Sequence, residues 1–356
     1  MYIRTVCGNI KPEELGITLL HEHLYADLWT SYQGKEKVRM ETKDDSNEKL
    51  NLGNLWKVKR DPAALKDNII LNDIDLMIRE VKYFRNDGGS CIVDATPIGL
   101  YRSPKALRQI SLATGVHIVA SSGFYLSETL DRETLDRSVE SLTEQIIKEI
   151  NEGIDGTDIK AGLIGEIGAP GEFNNFENNI LEAAAAAQKK TGAAISLHTC
   201  CPNQMYVSKR KAGWKQRVME VLDYLEGKGT DITRVMVGHT DVTVEFDINE
   251  QRQILKRGAY IVYDNFSSEH GWDMYNTYAP TDWQRVMNIV ALSKEGFIKQ
   301  LVICTDLWQK AMLKEFGGYG LSHIIKNICP MLEKNGLSRD DIECLLIGNP
   351  RRILAF

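Results

Sequence analysis

The feature that most constrains the fold of this 356-residue sequence is a regular alternation of short apolar segments with longer amphipathic ones. Apolar runs rich in β-branched residues indicate buried strands, whereas apolar residues recurring every three or four positions indicate helices. The predicted strands lie at about residues 17–20, 91–96, 116–121, 161–166, 193–198, 233–239, 259–263 and 300–306. The predicted helices between them lie at 67–84, from 104 onward, and at 135–149, 183–187, 214–225, 250–256 and 282–292.

This alternation determines the fold class. Strands that strictly alternate with helices run parallel and are joined by crossovers. Eight such units in one chain predict an α/β fold, a closed (β/α)8 TIM barrel, with the active site at the C-terminal ends of the strands. A chain of this length can form one such barrel, so we predict a single domain over residues 1–356.

One segment departs from the alternation. Residues 30–60 are polar and contain the charged runs Lys35-Glu36-Lys37 and Lys43-Asp44-Asp45. Because the segment lies between the first strand and its helix, we predict an insertion over the active-site face rather than a linker.

Composition narrows the classes of partner and the compartment. A formal net charge of -6 argues against nucleic-acid binding, which needs a basic face. No apolar stretch approaches the roughly 20 residues that span a bilayer, so no membrane association is expected. Seven cysteines form an odd set without the spacing of a disulfide framework, and residues 1–8 lack a secretory apolar segment. A cytoplasmic protein with a small-molecule substrate is the prediction.

Side chains that bind metals stand where the predicted strands end. His21 and His23 are two residues apart, so they point to the same side of their strand and form half of a metal clamp. Histidines or acids follow four other strands, and this recurrence predicts a metal site. The predicted metal ligands are His21, His23, Glu166, His198, His239 and Asp306.

The motifs around these residues resemble a known family. They are Thr18-Leu19-Leu20-His21-Glu22-His23, Ser196-Leu197-His198, Val237-Gly238-His239-Thr240-Asp241 and Ile303-Cys304-Thr305-Asp306. Over nearly its whole length the chain resembles the phosphotriesterase-like branch of the amidohydrolase superfamily. One departure is Gly165-Glu166-Ile167-Gly168, where phosphotriesterases carry a carboxylated lysine. This is similar to the phosphotriesterase-related subgroup, in which a glutamate bridges the metals.

The resemblance implies roles for the six residues. His21, His23 and Asp306 would hold a more buried divalent ion, His198 and His239 a more exposed one, and Glu166 would bridge the two. Zinc is expected first, with manganese, cobalt or iron as alternatives. A hydroxide held between the ions would attack the substrate, and Asp306 would pass its proton to the leaving group. The resemblance also implies a homodimer.

Substrate choice is less constrained by the sequence. The predicted substrate contacts are Tyr125, Lys209, Arg210, Lys211, Tyr263 and His270. The basic loop at 209–215 would clamp a phosphate or carboxylate, or would be a solvated loop.

We expect a lactonase that acts on a sugar-acid lactone, with or without a phosphate group. An N-acyl amide hydrolase is the first alternative and a phosphoric ester hydrolase the second. A mononuclear deaminase is disfavoured because no acid closely follows His198, and a non-catalytic barrel because all six ligands are present.

Overall fold

The computed structural model describes residues 1–32, 47–169, 175–199, 214–242, 248–272 and 277–356. Its strands are β1 Ile3–Thr5, β2 Gly8–Ile10, β3 Ile17–Glu22, β4 Ala26–Asp27, β5 Ile70–Leu71, β6 Gly89–Asp94, β7 His117–Ser122, β8 Leu163–Gly168, β9 Ile195–His198, β10 Val235–Val237, β11 Tyr260–Tyr263, β12 Gly271–Trp272, β13 Thr277–Tyr278 and β14 Leu301–Ile303. Its helices are α1 Leu55–Arg60, α2 Ile74–Asn86, α3 Pro104–Thr114, α4 Arg132–Leu135, α5 Val139–Asn151, α6 Asn175–Thr191, α7 Trp214–Gly227, α8 Ile248–Lys256, α9 Asp282–Lys294, α10 Cys329–Lys334, α11 Arg339–Glu343 and α12 Asn349–Leu354.

Eight of the strands form one parallel sheet. Its order is β14-β11-β10-β9-β8-β7-β6-β3, so neighbours in the sheet follow one another in the chain. The first and last strands meet where the Asp306 N–H donates to the His21 carbonyl at 3.1 Å and the His23 N–H to the Leu307 carbonyl at 3.0 Å. The predicted (β/α)8 TIM barrel is therefore confirmed, and each predicted strand coincides with an observed one to within a few residues.

Local sequence signals explain where several helices begin. The side chain of Asp73 accepts from the Leu76 amide and caps α2, and Ser103 caps α3 immediately before Pro104. The predicted helix at 67–84 begins later than expected, at Ile74. The reason is a tertiary contact. Asn68 is fully buried, and its side-chain amide donates to the Pro62 carbonyl and to the side-chain oxygen of Gln309. These hydrogen bonds hold the segment before the helix in a turn.

The opposite end of the barrel is closed by the β1–β2 hairpin. The Val6 amide donates to the Ile118 carbonyl at 2.8 Å, at the start of β7. Tyr2 and Phe356 exchange backbone hydrogen bonds and stack their rings at 5.7 Å, so both ends of the chain lie on this face. The functional site is therefore expected at the other end of the barrel, where the C-terminal ends of the strands lie. Within the described ranges, no helix combines the length and apolar character that crossing a membrane requires.

Part of the predicted insertion lies outside the described residues, namely 33–46. The segment that follows contacts the loop after β14, on the side of the barrel where the strands end. Asp67 forms an ion pair with Lys310 at 2.8 Å, and the side-chain oxygen of Asn68 accepts from the Ala311 amide at 2.9 Å. These contacts anchor residues 66–71 beside the C-terminal end of the barrel.

Candidate metal centre

All six predicted ligands come together at the C-terminal end of the barrel. Glu166, on β8, lies at the centre of the cluster. Its carboxylate is 3.4 Å from the Nε2 atoms of His21, His23 and His239, and 2.7 Å from Nδ1 of His198. Asp306 joins from beyond β14, with Oδ1 3.3 Å from His23 Nε2. Side chains from five strand ends therefore surround one small volume.

The spacing around His21 and His23 fits a divalent ion. Two ligand atoms bound tetrahedrally to zinc at about 2.0–2.1 Å lie roughly 3.3–3.4 Å apart. The observed separations are 3.4 Å from each histidine Nε2 to Glu166 and 3.3 Å from His23 Nε2 to Asp306. Two buried atoms of this group, His21 Nε2 and Asp306 Oδ1, make no hydrogen bond to another described residue. Buried polar atoms need partners, and a bound cation would supply one.

A second group of candidate ligands shares Glu166 with the first. His198 Nδ1 is 2.8 Å from His239 Nε2, and both nitrogens face Glu166 Oε2. His21 Nε2 also faces Oε2, at 3.4 Å, and His23 Nε2 faces Oε1. The carboxylate thus belongs to two overlapping groups, His21–His23–Glu166 and Glu166–His198–His239, as a bridging ligand would. Imidazole nitrogens and carboxylate oxygens suit several divalent metals.

Two of the candidate ligands have a backbone conformation that residues other than glycine rarely adopt. His239 has φ 59° and Asp306 has φ 45°, both in the left-handed region. Such a conformation costs roughly 1–2 kcal/mol for each residue and persists only where the surroundings impose it. The His239 amide donates to the Asp264 carboxylate at 3.0 Å, which holds this turn in place.

Asp264 is a candidate functional residue that was not predicted from the sequence. It directly follows β11, is fully buried, and contacts one ligand from each group: His21 Nδ1 at 3.4 Å and His239 Nδ1 at 3.2 Å. Because Asp264 faces both Nδ1 atoms, both Nε2 atoms are turned toward Glu166. The signal that could have found it is the one used for the ligands, an acid at the end of an apolar strand.

Asp94, the last residue of β6, gives a similar support to His23. Its carboxylate accepts from the amides of Leu24 and Thr96, at 2.7 and 3.2 Å. The Thr96 hydroxyl then lies 2.9 Å from His23 Nδ1. Each of these three histidines therefore has its Nδ1 facing a neighbouring oxygen, as a hydrogen bond in His23 and His239 and as a 3.4 Å contact in His21, and Nε2 faces the centre.

We expect Asp264→Asn to weaken metal binding without unfolding the barrel. An amide lacks the charge that holds both imidazoles, and loss of such a supporting carboxylate typically costs about 10–100-fold in metal affinity. Competition against a chromophoric chelator would measure the affinity. Asp67→Asn, which removes a carboxylate paired with Lys310, is the matched control. Equal metal affinity in the two variants would contradict the assignment of Asp264.

The charges of the cluster shift the pKa values of its members in the metal-free chain. Burial acts to lower the pKa of His21 and of His239, yet the neighbouring carboxylates outweigh it and raise both. Burial likewise acts to raise the pKa of Asp264, but His239 and His21 bring it down to about 2. Burial lowers the pKa of His198. The cluster therefore holds protons where cations would otherwise bind, and metal binding must displace them.

This charge balance predicts a pH dependence of stability for the metal-free chain. Burial acts to lower the pKa of His23, but Asp306 and Glu166 outweigh it and raise the pKa from 6.5 to about 10. The folded chain then binds more protons than the unfolded chain, so the stability that His23 contributes is lost as pH rises through this window. We expect the melting temperature of metal-free protein to fall between about pH 7 and about pH 9.5. His23→Gln should flatten that dependence, and a rise with pH would contradict it.

The predicted substrate contacts have different outcomes. The Tyr125 hydroxyl lies 3.2 Å from His198 Nε2, at the edge of the cluster. Tyr263 is fully buried and its hydroxyl donates to Gln251 on α8, so this placement gives no support to the prediction that it contacts substrate. Successive strand residues point to opposite sides, and the next residue, Asp264, is the one that faces the ligands.

Four predicted contacts remain. Burial and the charge of Arg285 lower the pKa of His270 to about 3, so its imidazole is neutral at physiological pH. His270 stays a prediction as a substrate contact. Lys209, Arg210 and Lys211 lie outside the described residues, and their role also stays a prediction.

Comparisons with known proteins agree with this architecture. The model of the phosphotriesterase family matches residues 1–354. The N-acetyltaurine hydrolase of Tetraodon nigroviridis is 34% identical to this chain, and the similarity covers 99% of this chain and 98% of that hydrolase. A resiniferatoxin-binding protein from Rhodobacter sphaeroides has a structure similar to this one, with a TM-score of 0.89 and 32% identity over 99% and 94% of the two chains. A mutant lactonase from Deinococcus radiodurans has a TM-score of 0.74 and 26% identity over 99% and 100%.

Proposed function

The chain belongs to the phosphotriesterase family and is a metal-dependent hydrolase, and on that premise we propose that it hydrolyses an N-acyl amide whose amine carries an anionic group. This places the amide hydrolase, the first alternative from the sequence, ahead of the lactonase. The observation that carries the proposal is the end-to-end similarity to an N-acetyltaurine hydrolase at 34% identity, against 26% for a lactonase. N-acetyltaurine joins an acetyl group to an aminosulfonate through an amide.

Asp306 is the residue that we assign to proton transfer. Its side chain is 10% exposed, whereas those of Glu166 and Asp264 are 2% and 0% exposed, so among these three it is the carboxylate that a substrate can reach. Bound divalent ions would polarise the amide carbonyl and lower the pKa of a water toward 7. Asp306 would take the proton from the attacking water as the C–O bond forms, and deliver it to the amide nitrogen as the C–N bond breaks.

Proton delivery matters more for an amide than for a lactone. The nitrogen of an amide leaves as an amine and must gain a proton, whereas an alkoxide is a better leaving group. A carboxylate that is both a ligand and partly accessible suits this requirement. We propose two ions per chain, held by the two ligand groups that share Glu166, with zinc expected first.

Tyr125 is the residue that we assign to the carbonyl oxygen. Its hydroxyl stands beside His198, at the more open edge of the cluster, where the side chain of His198 is 12% exposed. A hydroxyl in this place can donate to the oxygen that gains charge as the tetrahedral intermediate forms. It would do so without displacing any of the six ligands.

We expect Tyr125→Phe to lower kcat by about tenfold or more, because one donor to the developing oxyanion is lost. Steady-state kinetics at saturating metal would measure it. Tyr263→Phe is the matched control: it removes a buried hydroxyl that faces Gln251, so stability should fall by about 1 kcal/mol while kcat stays the same. Equal effects on kcat would remove Tyr125 from the mechanism.

The proposal is tested with a substrate panel on zinc- or manganese-reconstituted protein. N-acetyltaurine and N-acetyl amino acids carry the anionic group, and N-ethylacetamide is the neutral control. Release of primary amine reports amide hydrolysis. We expect amine from the anionic amides and much less from N-ethylacetamide. Equal turnover of the anionic amides and of N-ethylacetamide would mean that the anionic group is not recognised.

Lactones form the second arm of the panel, because the sequence favours a lactonase and lactonases are among the similar structures. Aldonolactones, their phosphorylated forms and simple alkyl lactones would be followed by proton release, with Asp306→Asn as the blank. Lactone turnover without amine release would overturn the amide proposal and restore the lactonase reading. Amine release without lactone turnover would establish an amide hydrolase.

A further inference from the structure

The seam at which the barrel closes holds half of the candidate ligands. The strand order of the sheet begins at β14 and ends at β3, so closure brings these two strands together. His21 and His23 stand on one side of the seam and Asp306 on the other. Two backbone hydrogen bonds cross it, from Asp306 to the His21 carbonyl and from His23 to the Leu307 carbonyl.

A buried carboxylate crosses the same seam. Glu22 lies between His21 and His23 and, by strand alternation, points away from them. It is fully buried, and one of its oxygens accepts from the Thr305 amide at 2.9 Å. The other accepts from the Thr305 hydroxyl and from the Leu307 amide, each at 2.7 Å. The donors therefore belong to the residues on either side of Asp306.

Asp306 needs such support. Its φ of 45° places it in the left-handed region, which a residue with a Cβ adopts only when its surroundings impose it. Its own amide donates a hydrogen bond to the His21 carbonyl. With the neighbouring amides both bound to Glu22, the Thr305–Leu307 segment has its backbone fixed at three successive residues, and the Asp306 side chain is directed toward His23.

We propose that Glu22 is a positioning residue for the metal centre: by binding the backbone on both sides of Asp306, it sets the distance between Asp306 and the histidine pair. The chemistry favours a carboxylate over an amide here. All three groups that face Glu22 are donors, and a carboxylate offers only acceptors. A glutamine would turn its NH2 group toward at least one N–H or O–H donor.

The test is the rate at which the cobalt-loaded protein loses its metal to a chelator, followed by the visible absorption of bound Co2+. We expect Glu22→Gln to release cobalt about tenfold faster or more, and to alter the cobalt spectrum, because the Asp306 ligand is displaced. This readout needs no substrate, so it fails or succeeds independently of the proposed amide hydrolysis.

A second buried carboxylate provides the matched control. Glu80, on α2, is 2% exposed and accepts from the amides of Lys314 and Leu321, each at 3.0 Å. Glu80→Gln should lower the melting temperature to a similar extent but leave cobalt release and the spectrum unchanged. If both variants release cobalt at the same rate, Glu22 contributes only to general stability and the proposal is overturned.

Two milder variants keep the proposal testable if Glu22→Gln does not fold. Thr305→Val removes the hydroxyl donor and retains the backbone, and it should release cobalt faster than the unsubstituted chain. Thr305→Ser retains the hydroxyl and should restore slow release. Identical release from Thr305→Val and from the unsubstituted chain would overturn the proposal.

Discussion

Asp306→Asn is expected to fold as the unsubstituted chain does and to lose most of its turnover, by about 10²–10⁴-fold. Asparagine is close to aspartate in size, so the packing at the seam is preserved, but it cannot accept and return a proton. The steady-state kcat on the best amide of the panel would measure the loss. A melting curve would check the fold, and elemental analysis would check the metal content.

The control separates proton transfer from metal binding, because Asp306 also faces His23 and His21. Turnover is therefore compared at saturating metal, where both proteins are fully loaded. An ester with a good leaving group needs less protonation than an amide, so the loss should be smaller for the ester. Turnover of the amide near that of the unsubstituted chain, with full metal content, would remove Asp306 from the mechanism.

Metal removal is expected to abolish turnover reversibly. Polarisation of the carbonyl and activation of water contribute several kcal/mol, which at about 1.4 kcal/mol for each tenfold corresponds to a loss of about 10³-fold or more. Titration of the metal-free protein with zinc or manganese should restore activity and saturate at about two ions per chain. Elemental analysis after gel filtration would give the stoichiometry.

Metal binding should also raise the melting temperature. The metal-free cluster confines six ionisable side chains, and an ion that binds only the folded state stabilises it by about 4 kcal/mol at a free concentration 1,000 times its Kd. Glu166→Gln, which weakens the shared ligand, should reduce both the stoichiometry and this stabilisation. A stoichiometry of one ion per chain would contradict the binuclear site. No metal binding at all would indicate a protein that does not catalyse hydrolysis.

Much of the fold was accessible from the sequence because its signals are local. The apolar run before His21 and the one before His198 each predict a strand, and periodicity predicts the intervening helices. Where prediction failed, a distant contact was responsible. Helix α2 begins at Ile74 rather than near residue 67 because Asn68 is held by Gln309, a residue far along the chain.

The six candidate ligands could be predicted from the sequence for a related reason. The C-terminal ends of parallel strands in a closed barrel meet on one face, so residues that follow strands become neighbours whatever their separation in the sequence. Side-chain alternation places His21 and His23 on the same side. The same rule places Tyr263 and Asp264 on opposite sides of their strand. Applied there, it would have predicted Asp264 rather than Tyr263 as the residue that faces the site.

Local periodicity and residue type were enough to predict the barrel, six candidate ligands at the strand ends and a hydrolase. Which oxygen supports which of those residues follows only from the way distant strands come together in the fold. Asp264 spans His21 and His239, and Glu22 reaches across the seam to Thr305 and Leu307. Such pairings depend on strand register and on how the barrel closes, and neither leaves a signal within a single stretch of sequence.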